Sequence, residues 1–154
     1  MKEWIRNIAC SICRALSEPE LEYVPNKQKV LTGAQVLQIL RDRFPEGDIH
    51  ISDAHSYFAC SYDDIAYFLA QDETNRFEYK DQSYDCDDFA ARLFGQFSVP
   101  GWSDLCIGKM WTEKHALNLM ISERKKILFI EPQSDTIKEE LTDWQGSKNR
   151  FIEM

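Results

Sequence analysis

The chain has 154 residues, 44% of them hydrophobic and 29% charged, a balance that suits one folded domain with its own core rather than a disordered chain. Its formal charge of −8, from 26 acidic against 18 basic residues, argues against nucleic acid or an anionic membrane as the main partner. No apolar run approaches a membrane span, and Asn7 and Arg14 interrupt the N-terminal apolar stretch, so neither an anchor nor a signal peptide is expected and cytoplasmic location is the default. Five cysteines, an odd number at irregular spacing, make a poor disulfide framework and suit a reducing compartment. Cys10-Ser-Ile-Cys13 has no second Cys or His pair to complete a zinc site and reads as two small apolar residues of a helix.

In chain order, Trp4, Ile5, Ile8, Ile12, Ala15 and Leu16 recur at helical spacing, predicting an amphipathic helix over 3–16. Pro19 and Pro25 make 18–29 a loop. Thr32 then caps a second helix, with Gln35 closing a capping box, and Val36, Leu37, Ile39, Leu40 and Phe44 form its buried face. Pro45 and Gly47 stop it, and 48–52 alternates as a short strand. Ser61 with Asp64 forms another capping box, opening a helix through Ile65, Phe68 and Leu69 to about Asp72.

Asp85 is a good N-cap, which places Cys86 at the first position of a helix carrying Phe89, Ala90, Leu93, Phe94 and Phe97. After the Pro100-Gly101 turn the period changes: 105–111, 115–121 and 126–131 read as strands, the last two joined by the charged turn 122–125. The predicted class is α+β, helices first and then an antiparallel sheet packed on the helix that carries Cys86. A single domain over 1–154 divides into a mainly helical part, 1–80, and a part with helix and sheet, 81–154.

A helix N-terminus gathers partial positive charge and free N–H donors, so a cysteine there is expected to have a lowered pKa and an adjacent oxyanion site. Taken alone, such a cysteine is more often structural. The hairpin adds to it: His115 and Glu131 are equidistant from Glu123, so a pairing centred there sets them directly opposite each other on one face. The rest of that face, Leu117, Leu119, Ile121, Ile127 and Phe129, is apolar. A histidine fixed by a carboxylate is the base–orienter half of a triad, and Cys86 supplies a nucleophile. His50 and His55, beside Asp48 and Asp53, are rival bases and read as surface residues.

Asp85-Cys86-Asp87-Asp88-Phe89-Ala90, then His115-Ala116, then Glu131-Pro132-Gln133, resemble papain-like cysteine peptidases in their transglutaminase-like variants, above all the calcium-activated peptidase domain of Marasmius-type mushroom agglutinins. The resemblance covers about residues 80–135. It implies a Cys86–His115–Glu131 triad and a calcium site on Asp87, Asp88 and Gln133, with manganese as a substitute. Oxygen donors of that kind suit such hard cations. The plain alternative for Asp87 and Asp88 is that acids in a helix's first turn favour its dipole. Gln82 is the nearest candidate for a side-chain oxyanion donor, at a spacing shorter than papain-type enzymes use. No sugar-binding repeat precedes the domain, so no lectin role is expected.

The expected function is therefore a calcium-dependent cysteine peptidase acting on a peptide or protein substrate. A transglutaminase-like acyltransferase or amidase differs only in the acceptor, and a calcium-binding module without turnover is the reading from another class. Trp102, Trp111 and Tyr84 are candidates for the cleft wall or the core.

Overall fold

Local sequence signals and a few long-range pairings set the architecture in the computed structural model, which describes residues 23–52 and 56–154. The expected helix at 3–16, with Cys10 and Cys13, and the pair Asp53 and His55 lie outside the described residues. The elements are β1 (Val30–Leu31), α1 (Gly33–Arg43), β2 (Asp48–His50), β3 (Tyr57–Phe58), α2 (Tyr62–Gln71), a 3-10 turn (Thr74–Arg76), α3 (Cys86–Gln96), β4 (Ile107–Thr112), β5 (Ala116–Ile121), β6 (Ile127–Glu131), β7 (Thr136–Lys138) and β8 (Asn149–Glu153).

The capping box at Thr32 forms as its sequence predicts: Gln35 N–H donates to Thr32 Oγ1 at 3.3 Å, and Thr32 N–H donates to Gln35 Oε1 at 2.9 Å. Val36, Leu40 and Phe44 of α1 are buried, whereas Leu37 is exposed and Ile39 only half-buried. At α2, Ser61 caps Asp64 N–H at 3.0 Å, but the Asp64 carboxylate does not return to the cap. It accepts from Tyr23 Oη at 2.6 Å and from Asn26 N–H at 2.9 Å, pinning the segment before β1 to the helix.

Six strands form one sheet in the order β2-β8-β4-β5-β6-β7, and β1 with β3 forms a separate antiparallel pair. Every pairing in the large sheet is antiparallel except β2 with β8, which run parallel. This corrects the expected fold class on two counts. Strands β1, β2 and β3 interleave with the helices of the first half, so helices do not come first, and the sheet is mixed. The short strand expected at 48–52 is β2, whereas β1 and β3, of two residues each, are too short to show a period.

Every residue of β5 is buried. On one face, Asn118 donates through Nδ2 to Ala90 O of α3 at 3.0 Å, beside the buried Phe89, Ala90 and Leu93. On the other, Phe129 meets Phe44 of α1 with ring centroids 6.2 Å apart. The sheet is thus covered on both sides at its centre, and each buried aliphatic or aromatic side chain there contributes about 1.5–3 kcal/mol. Phe97 at the end of α3 stacks on Phe68 of α2 at 3.9 Å, and Trp102 lies 4.7 Å from the same ring. That anchored C-terminal end leaves the N-terminus of α3, with Cys86, at the edge of the sheet where β5 begins and β6 ends.

Candidate functional site: a thiol, an imidazole and a carboxylate in one cleft

Asp85 is the N-cap of α3 and Cys86 its first residue, as expected. Asp88 closes the first turn by accepting from Asp85 N–H at 3.1 Å. The Cys86 thiol is half-buried. Its pKa is raised, not lowered: burial is the largest cause, the Ala116 backbone hydrogen bond opposes it, and the carboxylates of Asp85 and Asp87 push it further up. Burial first, and the Asp85 and Asp87 carboxylates next, hold the thiol pKa up, which corrects the expected lowering.

The hairpin register also differs from the expected one. Asn118 pairs with Ile130, Leu119 with Phe129 and Ile121 with Ile127, which centres the turn on Arg124. Ser122 N–H donates to Lys126 O at 2.9 Å, and the three-residue loop between them ends on Lys125 at φ 60°, the left-handed residue such a loop needs. In this register Glu131 lies across from Leu117, and His115 is its diagonal neighbour on the same face. A shift of two residues keeps the face, so the pair still forms: His115 Nε2 donates to Glu131 Oε2 at 2.9 Å, with both residues only 8% exposed.

Further groups fix the pair. Gln145 Nε2 donates to the same Glu131 oxygen at 2.9 Å. Thr112 Oγ1 accepts from His115 N–H at 2.9 Å, and the Trp144 ring lies 4.7 Å from the imidazole. Glu131 Oε1 is buried without a partner. An ionised carboxylate only accepts, so His115 carries its proton on Nε2 and presents Nδ1 as the basic nitrogen.

Cys86, His115 and Glu131 line one cleft of about 500 Å³, together with Tyr79, Lys114, Gln133, Ser134 and Trp144. Among the residues named for metal, Gln133 lines this cleft, whereas Asp87 and Asp88 do not. Ligand atoms of Asp85, Cys86 and Asp87 lie within 4.8 Å of one another. Asp88 does not join that cluster. Asp85 and Asp87 are hydrogen-bonded to each other, which raises the pKa of Asp87 and lowers that of Asp85.

His50 is exposed at the end of β2, away from the cleft. Gln82 sits in a turn at φ 59°, its backbone binds Asp85, and it is not among the residues that line the cleft. Trp102 is buried in the core, Trp111 packs on Phe151, and Tyr84 packs between Phe77 and Phe89. Tyr79, Lys114, Ser134, Trp144 and Gln145 escape a sequence reading. Their one signal is an aromatic, Trp144, in an otherwise polar stretch between two strands.

No family model and no curated protein matches the chain. Solved structures do match, ten chains in all, and two of them follow. The PSL1a-E64 complex is 22% identical with a TM-score of 0.72 and is matched over 83% of this chain and 51% of its own. Polyporus squamosus lectin bound to the human-type influenza-binding epitope Neu5Aca2-6Galb1-4GlcNAc is also 22% identical, with a TM-score of 0.68, over 83% of this chain and 50% of its own. The likeness is one of fold. The chain spans about half the length of each of these structures.

These neighbours overturn the family assignment drawn from the sequence. PSL1a is the Polyporus squamosus lectin, so the fold shared here is one carried by lectin structures, and papain-like cysteine peptidase is corrected to that. The expectation of a calcium-dependent, metal-activated peptidase acting on peptides falls with it, as does the transglutaminase-like reading. Among the described residues no helix is long and apolar enough to cross a membrane.

Proposed function

We propose that the chain is a ligand-binding module whose site is the cleft at the start of α3, and that Cys86 is the reactive group within it. One observation carries this reading: a thiol, an imidazole and the carboxylate that orients the imidazole line the same 500 Å³ space. In this proposal Cys86 is the nucleophile, His115 Nδ1 takes the thiol proton and Glu131 holds the imidazole in the tautomer that can do so. Because burial and two carboxylates keep the thiol protonated at rest, it depends on that base. The ligand class is a polar molecule with an electrophilic centre.

The test is thiol labelling of the full chain with iodoacetamide and, separately, with E64, the ligand named for the PSL1a complex. Labelling of Cys86 ahead of Cys60 and Cys106, lost in His115→Ala, supports the reading. Equal labelling of these cysteines, or no effect of His115→Ala, removes it.

Glycan binding in the same cleft is the second reading, favoured by the exposed rings of Tyr79 and Trp144 on its wall and by the glycan held by the Polyporus lectin. That glycan belongs to a protein of which this chain spans half. Titration with the same trisaccharide, followed by calorimetry in the unaltered chain and in Trp144→Ala, decides it.

Calcium, with manganese as substitute, is proposed to bind beside the thiol through Asp87 and Gln133, with Asp88 adjoining. The donor set fits: the oxygens are hard, and a cation would replace the hydrogen-bonded proton between Asp85 and Asp87. Its role would be to neutralise the carboxylates that raise the Cys86 pKa.

A further inference from the structure

The segment between β7 and β8 is fastened across the cleft edge at several points. Lys114 Nζ donates to Asp143 O at 2.7 Å, and the Glu113 carboxylate accepts from Ser147 N–H at 3.1 Å and Lys148 N–H at 2.8 Å. Thr112 Oγ1 also bonds Gln145 O. Gly146 is at φ 86°, and a Cβ there would lie 2.9 Å from the Glu113 carboxylate and 3.0 Å from Thr112 Oγ1, so the strap needs glycine to lie this close.

Within the strap, Gln145 is 5% exposed and every polar atom of its amide is used. Its Oε1 accepts from Thr142 N–H at 3.1 Å and from Thr142 Oγ1 at 2.8 Å. A backbone N–H can only donate, so the orientation of the amide is fixed and Nε2 must be the group that faces Glu131. Glu131 Oε2 therefore receives two donors, His115 and Gln145, while Oε1 receives none.

We infer that Gln145 is the positioning residue that sets the rotation of the Glu131 carboxylate and, through it, the tautomer of His115. The inference rests on reading the cleft as a thiol site but concerns the base rather than the thiol. Without Gln145 the carboxylate is free to rotate, neither oxygen is held on the axis of the His115 Nε2–H bond, and the hydrogen bond that keeps the proton on Nε2 weakens. Nδ1 then carries the proton part of the time and cannot take one from Cys86.

The experiment is nitrogen-15 NMR of the His115 ring in the full chain at a pH where it is neutral, together with Cys86 alkylation rates. The unaltered chain is expected to show one tautomer, protonated on Nε2. Gln145→Met, close in volume and without the donor, should show a tautomer mixture and alkylate roughly tenfold or more slowly. Thr142→Val, which removes only the hydroxyl donor to Oε1, should move both readouts the same way by less, and decides the matter if Gln145→Met does not fold. An unchanged Nε2 tautomer in the folded variants overturns the inference, even where the melting temperature falls, because a packing residue alone would do that. Unselective cysteine labelling of the unaltered chain would remove the thiol reading and leave the tautomer result to judge Gln145 by itself.

Discussion

The imidazole of His115 and the carboxylate of Glu131 meet at 2.9 Å from diagonal positions of the β5–β6 hairpin, each almost entirely out of solvent. Removing the carboxylate by Glu131→Ala strands two buried donors, His115 Nε2 and Gln145 Nε2. A buried donor without an acceptor costs about 1–3 kcal/mol, so the variant should lose at least that much stability in urea unfolding. A loss under half a kcal/mol would mean that water reaches both donors and that the pair is not sealed as described.

The pairing was legible in the sequence because strand periodicity survives a register error of two residues: the count from Glu123 misplaced the centre of the turn, yet both side chains stayed on one face. The helix start at Asp85 and Cys86 was legible from its cap. What was not legible lies where local signals are weak. The two-residue strands β1 and β3 are too short for a pattern, the parallel pairing of β2 with β8 joins residues about a hundred positions apart, and Trp144 and Gln145 reach the site from an irregular segment. The direction of the thiol pKa was not legible because its largest cause is burial, which the sequence does not show, and the Asp85 and Asp87 charges beside the sulfur add to it. A family likeness carried by short motifs did not survive comparison with whole folds.

Alkylation of Cys86 should climb with pH beyond its ordinary thiol range, since burial first and the Asp85 and Asp87 carboxylates next hold its pKa up. Asp87→Asn removes one of those charges and should shift the profile to lower pH. Cys60 and Cys106 should lag throughout: both are fully buried, and the Cys106 thiol is pushed up to about 12 by burial. A plateau of Cys86 labelling below neutral pH would instead indicate a thiolate–imidazolium pair and contradict the raised pKa.

Asp135 gives a second pH signature. Burial, with Asp72 nearby, raises its carboxyl from 3.8 to about 6. A raised folded-state pKa means the folded chain holds the proton more tightly, so this group's favourable contribution is complete below about pH 4 and is lost as pH rises through 6. Asp135→Asn should therefore stabilise the chain at pH 8 and change little at pH 4. Asparagine also tolerates the φ of 54° at this position. Urea unfolding at the two pH values checks it, and an equal effect at both would sink the assignment.

Gly108 of β4 lies against the end of β8 and the residue after it. A Cβ there would meet Met154 Sδ at 2.4 Å and Glu153 O at 2.5 Å, and the second of these is backbone that cannot swing aside. Gly108→Ala should cost about 1–3 kcal/mol of stability, the usual range for overpacking. Met154→Ala removes the sulfur clash but not the carbonyl one, so it should restore only part of the loss in the double variant. Complete restoration would show that the chain end, and not the strand backbone, sets the constraint.

Cation binding is the last expectation, and its pH dependence separates it from a general salt effect. A ligand present at 100 times its Kd stabilises the folded state by about 2.7 kcal/mol, enough to raise the melting temperature of a chain this size by several degrees. Calcium should do so at pH 7, and a chelator should reverse it. Because the cation displaces the proton held between Asp85 and Asp87, the gain should shrink as pH falls. Asp87→Ala with Gln133→Ala should abolish it while leaving the His115–Glu131 pair in place. A calcium shift that survives the double substitution places the ion elsewhere, and no shift at millimolar calcium leaves Asp85 and Asp87 as a carboxyl pair that adds to the effect of burial on the thiol pKa.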